Sequence, residues 1–381
     1  MPNQGFRVID SDLHIVEPVD LWQRYIDPAF RDQAPVGRNF GGRFDDLALA
    51  DGRPILFPSD HWAEPLRRHM EPVDHLYQFA MDRNWDGVSQ LQAMDQEGTD
   101  VAILFPTRGL YAMAVDVEGR ADRGYTPALA TAVARAYNDW LHDFCAPDRS
   151  RLIGAAMVAP HDARAAAAEV RRAVTELGFR AVFLLPGLIA GRPWHDPWYD
   201  PLWAECERLD VPVGFHGGGN DRLTDYGLAL GGFEMSVWHT FSHCLGPMAA
   251  AASMTAGGVF ERFPKLRAAY LEANCSWAPW LFCRLDDHIE DYIGRFEFDL
   301  PMKPSEYFRR NCYVSVEADE ATVGLYISWF GDDNIVFSSD YPHPDSKFPR
   351  ATAKFLSQPI SEQAKRKILW DNCARLYRIP G

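Results

Sequence analysis

Eight short apolar runs, each parted from the next by a helical pattern, set the tightest limit on how this chain can fold. Strands are expected near 6–14 (FRVIDSDLH), 100–106 (DVAILFP), 152–160 (LIGAAMVAP), 180–186 (RAVFLLP), 211–216 (VPVGFH), 266–273 (LRAAYLEA), 312–319 (CYVSVEAD) and 334–341 (NIVFSSDY). Several are continuously apolar, as parallel strands covered on both faces must be. Helical periodicity fills the intervals at Gln90–Gln96, Thr126–Phe144, Asp162–Leu177, Asp200–Leu209, Trp277–Tyr292 and Glu320–Phe330, with Gln363–Tyr377 closing the chain. Asp162 and Asp200 stand where N-caps fall, and Gly178 where a helix ends. This alternation predicts one α/β domain over 1–381, a (β/α)8 TIM barrel. A doubly wound open sheet is the rival, and it lacks a G-x-G-x-x-G after the first strand. The interval Val19–Ser89 is far longer than an ordinary βα loop and predicts a long insertion after the first strand, a lid or a dimer arm.

Composition narrows the partners. A formal charge of -15 argues against nucleic acid and anionic membranes as partners. The most membrane-like run, Cys244–Phe260, is rich in Ala and Gly and suits a packed core helix. The 7 cysteines are scattered without a C-x-x-C pair, so reduced thiols are expected rather than a disulfide framework. The start MPNQGFRVID shows no signal-peptide pattern, and a cytoplasmic homodimer acting on a small molecule is the expectation.

The first strand ends in VIDSDLHIVEP. Residues two apart on a strand share a face, so Asp10, Asp12 and His14 are expected to point the same way. Asp12 and His14 then stand at the strand's C-terminal end, where barrel enzymes place their chemistry. Other strands end in ligand-type residues too: His216 in VGFHGGG, Glu272 in YLEAN and Asp340 in FSSDYPHP. Converging carboxylates repel unless a cation sits among them, so the pattern points to a metal site. His243 is a further ligand or base, while His239, four residues before it, is expected in support. His343 is expected to support the site or touch the lid. His61, His69 and His75 are read as surface or lid residues, and Trp62 and Trp85 as able to close over a substrate.

The motifs DSDLHIVEP, HDPWYDPLW, VGFHGGG, GGVFERFPKLR, LEANCSWAPWLFCRLDD and FSSDYPHP resemble the amidohydrolase superfamily. Specifically, they resemble its amidohydrolase-2 branch, which includes aminocarboxymuconate-semialdehyde and resorcylate-type decarboxylases. The resemblance runs along nearly the whole chain. It implies a distorted (β/α)8 barrel with a divalent metal at the strand C-termini, held here by Asp12, His14, His216 and Asp340. Two departures stand out. The family's first motif is usually H-x-H or E-x-H, and its decarboxylases carry a catalytic His after the sixth strand, where this chain has Glu272.

Those changes shift the donor set toward hard oxygen ligands: Asp12, Glu17, Glu272 and Asp340 beside His14, His216 and His243. The set suffices for one or two divalent ions, Zn, Mn or Fe. Glu17 is either a further ligand or a cap on the next helix. Three functions fit. The first is a metal-dependent hydrolase or lyase in which Glu272 or His243 moves the proton. The second is a non-haem dinuclear iron (or Mn/Fe) monooxygenase on the same barrel, and the third a non-catalytic metal-stabilised binding protein.

Overall fold

The eight apolar runs form eight parallel strands: β1 Ile9–Ile15, β2 Val101–Pro106, β3 Leu152–Met157, β4 Ala181–Leu184, β5 Val213–His216, β6 Ala268–Leu271, β7 Cys312–Glu317 and β8 Ile335–Ser338. The computed structural model describes residues 3–38, 46–53, 55, 71–113, 124–189, 191–217, 235–291 and 299–380. Each strand pairs in parallel with the next from β1 to β8. The seam between β8 and β1 is closed by single bonds. The Ser11 hydroxyl donates to the Phe337 carbonyl (2.7 Å), and the amide of His14 donates to Tyr341 (2.7 Å). The result is a nearly closed, distorted (β/α)8 barrel.

Helices cover the strands: α1 Gly87–Glu97, α2 Pro127–Phe144, α3 Ala163–Thr175, α4 Asp200–Leu209, α5 Met235–Ala256, α6 Trp277–Glu290, α7 Pro304–Asn311 and α8 Val323–Phe330. Of these, α1 to α4, α6 and α8 lie on the expected patterns. Helix α5 takes in most of the core run at Cys244–Phe260 and starts earlier, and α7 falls where no helical pattern was marked. Asp162 caps α3 as expected, accepting from the amides of Arg164 and Ala165. Asp200 does not cap α4. It is the helix's first residue, and its carboxylate instead accepts from Arg262. The apolar run at Cys244 lies within α5, and no helix among the described residues is long and apolar enough to cross a membrane. The final pattern, Gln363–Tyr377, forms as consecutive short helical segments from Glu362 to Tyr377.

Much of the insertion is built into the body of the protein. Its first helix, Leu21–Tyr25, lays Trp22 fully buried on α2, where the indole donates to the Val133 carbonyl (3.2 Å). Further on, Val36–Arg38 and Asp46–Ala48 pair as a short antiparallel ribbon. Trp85 is half-buried with its ring 6.2 Å from Tyr77, and His75 is exposed. His61, Trp62 and His69 lie outside the described residues.

One helix terminus makes stability depend on pH. Glu97 at the end of α1 is buried; one oxygen accepts from the Thr352 amide (2.7 Å) and the other accepts nothing. Burial raises its pKa from 4.5 to about 7. The folded state therefore holds this proton more tightly than the unfolded chain does. The contribution is full below the unfolded value and is lost as pH rises through the folded one. At roughly 1.4 kcal/mol per pH unit, the loss is on the order of 3 kcal/mol. Glu97→Gln is expected to flatten this dependence, read as melting temperature at about pH 5 and about pH 8. An equal decline in wild type and variant would remove Glu97 as its source.

Candidate metal centre

At the C-terminal mouth of the barrel, β1 departs from simple alternation. Its register against β2 shifts between Asp10 and Leu13, a bulge of the kind that re-aims side chains beside functional sites. Asp10 and Asp12 take different partners there. Asp10 turns a buried carboxylate oxygen onto the amides of Asp12 and Ser339 (both 3.2 Å). Burial pushes its pKa up to about 8. Asp12 aims into the mouth, where both of its oxygens are buried and accept no hydrogen bond.

His14 and His216 are locked in one tautomer. Nδ1 of His14 lies 2.7 Å from the Pro106 carbonyl, and Nδ1 of His216 lies 2.6 Å from the Gly217 carbonyl. A carbonyl only accepts, so each Nδ1 carries the proton and each Nε2 presents a lone pair. Neighbouring residues fix the rings. Phe105 of β2 stacks on His216 at 5.6 Å, and Gly214 leaves room for it, since a Cβ there would meet the Phe105 ring at 3.0 Å.

Those two lone pairs face each other at 2.9 Å. Either a proton or a metal cation must stand among them. Burial and the neighbouring His343 and His216 hold His14 well below the usual imidazole range, which disfavours the proton. Carboxylates complete the surround. Asp12 Oδ1 lies 3.2 Å from His216 Nε2 and 3.6 Å from His14 Nε2, and Asp340 Oδ1 lies 3.4 Å from His14 Nε2. Two nitrogens bound at right angles to one ion at ~2.1 Å sit ~3.0 Å apart, so the spacing fits a shared divalent cation. The donor set therefore suits the group that the sequence implied.

Glu272 and Asp340 reach the mouth from strained backbone. Both are non-glycine residues in the left-handed region, at φ +45° and +57°. Such conformations cost on the order of 1–3 kcal/mol each and persist where surrounding structure enforces them. Glu272 Oε2 lies 3.3 Å from His216 Nε2, and Oε1 lies 3.4 Å from Nε2 of His243 on α5. Gly217 admits α5 this closely: a Cβ there would lie 3.2 Å from the His243 Cα. Burial first, then nearby carboxylates, raises Glu272 and Asp340 well above the carboxylate range.

His343 belongs to the cluster more closely than the sequence reading placed it. Its Nδ1 lies 2.8 Å from Asp340 Oδ1, its Nε2 3.1 Å from the Thr107 hydroxyl, and its ring 3.9 Å from that of His14. The signal was present in the spacing, since a turn joining the His343 amide to the Asp340 carbonyl folds the two together. The His239 side chain lies outside the described residues.

Glu17 corrects one expectation. Its carboxylate is turned away from the donor set onto the amides of Arg108 and Gly109 (both 2.9 Å). It caps the start of the short helix Gly109–Ala112 after β2 rather than the helix that follows it in sequence. Replacing it with alanine strands two amides, each worth about 1–3 kcal/mol when buried without a partner. Glu17→Ala is expected to lower the melting temperature while leaving bound metal unchanged by elemental analysis. A loss of metal without loss of stability would restore Glu17 as a ligand.

The sequence profile of the Amidohydrolase family (Amidohydro_2) matches residues 9–379. The chain belongs to that family. The chain is 29% identical over 300 residues to the gamma-resorcylate decarboxylase of Rhodococcus jostii, covering 76% of this chain and 87% of that protein. Among solved structures, it superposes on an amidohydrolase from Mycobacterium avium subsp. paratuberculosis with a TM-score of 0.78 at 25% identity, covering 98% of both chains. The 5-carboxyvanillate decarboxylase of Novosphingobium aromaticivorans, solved with manganese and 4-hydroxy-3-methoxy-5-nitrobenzoic acid, shares the fold at TM-score 0.68 and 20% identity, covering 99% of this chain and 97% of that one.

Proposed function

We propose that this member of the family is a metal-dependent decarboxylase of a small hydroxylated aromatic acid. The observation that carries the reading is Glu272, a buried carboxyl set against both His216 and His243 at the mouth of the donor cluster. The relatives named as decarboxylases support the reaction class, as lyases rather than hydrolases.

Asp12, His14, His216 and Asp340 would hold the ion, and their mix of imidazole and carboxylate suits Mn or Zn. When bound, such an ion supplies a Lewis-acidic seat for substrate oxygens and offsets the charge of the carboxylates. The residues of the chain do the rest. Burial favours the protonated form of Glu272, a carboxylic acid able to give a proton to the ring carbon that bears the substrate carboxylate. The new C–H bond forms there, the C–C bond breaks toward carbon dioxide, and the ring regains aromaticity. Glu272 is left ionised, and His243, half-buried at 3.4 Å, returns its proton.

The test is carbon dioxide release from 2,6-dihydroxybenzoate and 5-carboxyvanillate in deuterated water. The reading expects one deuterium at the vacated ring position for each carbon dioxide lost. No release from either acid, or equal release from Glu272→Gln, would overturn it.

One observation favours a second reading. His14, Glu272, Asp340 and His343 form a second donor group that shares His14 with Asp12 and His216. Two ions held there would suit a dinuclear iron monooxygenase, with Glu272 a ligand instead of an acid. That reading requires two irons per chain and dioxygen uptake.

A further inference from the structure

We infer that Glu320 is a positioning residue that holds Glu272 in its working orientation. This rests on the reading that Glu272 acts at the site.

Glu272 is followed two positions later by a second strained residue, Asn274, at φ +58°. Two non-glycine residues in left-handed backbone within three positions relax unless the turn is held from outside. The turn's next residues supply the hold. The Cys275 amide donates to both oxygens of Glu320 at 3.1 Å, and the Ser276 amide donates to Oε1 at 3.1 Å. The Ser276 hydroxyl donates to the same oxygen, and the Cys275 thiol lies 3.3 Å from it. One buried carboxylate thus gathers the backbone and side-chain donors of both residues that lead into α6.

Glu320 itself stands on different ground. It follows β7, its amide tied to the Glu317 carbonyl, and α8 begins only at Val323. The sequence pattern starts a helix at Glu320, yet Glu320 stays outside it and spends its side chain on the neighbouring loop. The clamp therefore fixes the β6 turn against the β7 turn. Its anchors lie three and four residues beyond Glu272, on the same short backbone path. Ser276 makes no side-chain cap on α6, because its hydroxyl serves Glu320. The partners of the Glu320 carboxylate, Cys275, Ser276 and Thr322, are not donors in the mouth, so its route to the site is the turn that carries Glu272.

The experiment is a double-mutant cycle of Glu320→Gln and Glu272→Gln. Turnover is measured on whichever of 2,6-dihydroxybenzoate and 5-carboxyvanillate the wild type consumes faster. Glutamine keeps the size of Glu320 but offers one oxygen where several donors converge. Alone it is expected to lower kcat by about 10–100-fold, with KM within about twofold and metal content unchanged. In the Glu272→Gln background it is expected to cost less than about twofold more, because nothing remains to position. Wild-type kcat in Glu320→Gln, or the same loss in both backgrounds, would show a purely structural clamp and overturn the inference. Should Glu272→Gln alone keep full kcat, the functional reading has failed instead. If Glu320→Gln does not fold, Ser276→Ala removes the hydroxyl partner and is expected to lower kcat in the same non-additive way. A crystal structure of the folded variant gives a readout independent of turnover: Glu272 leaving the left-handed region supports the clamp, and Glu272 unmoved contradicts it.

Discussion

Asp340→Ala is expected to strip the barrel mouth of its metal and, with it, at least about 1000-fold of turnover. Changing a residue that only supports a metal ligand already costs about 10–100-fold in affinity or activity, and Asp340 is proposed as a ligand itself. Its Oδ1 lies 3.4 Å from His14 Nε2, and the backbone is held at φ +57° to bring it there. Alanine removes the carboxylate and leaves His14 and His216 with their lone pairs opposed. Asp340→Asn is the stricter variant, because it preserves shape while removing the charge that balances a divalent ion. Both are to be checked by elemental analysis and circular dichroism. A folded Asp340→Ala protein with full metal content would place the centre elsewhere.

Glu272→Gln carries the second large effect. A glutamine side chain cannot act as an acid, and general acid catalysis contributes about 100- to 10,000-fold, so kcat should fall by that factor. Metal content should stay at the wild-type level, because the proposed ligands Asp12, His14, His216 and Asp340 are untouched. Deuterium transfer to the vacated ring carbon should fall in step with carbon dioxide release, since one event drives the other. The same variant separates the two readings. If Glu272 is instead a ligand to a second ion, its replacement removes one of two metals per chain.

The barrel was legible because its signal is repeated. Eight buried parallel strands must read as eight apolar runs, and each run lies on the strand that formed. The strand ends were legible for a related reason: Asp12, His14, His216, Glu272 and Asp340 are titratable residues at the ends of buried strands, and the fold brings their side chains together at one mouth. What the sequence could not show was local geometry. The register of β1 shifts between Asp10 and Leu13, and Asp10 spends its carboxylate on the amides of Asp12 and Ser339 while Asp12 lies against His14 and His216. Glu17 faces two amides some ninety positions away, a partnership that no spacing rule reveals. His343 joins the donors through a turn, and Glu320 reaches sideways to another strand's loop. In each case the decisive partner comes from another part of the chain.

The central claim is tested most directly by carbon dioxide release from 2,6-dihydroxybenzoate and 5-carboxyvanillate, before and after metal removal by chelation. The metal-free protein is expected to release none, and stoichiometric manganese or zinc to restore release. Carbon dioxide from the metal-free protein, or none from a fully metal-loaded one, would contradict the account.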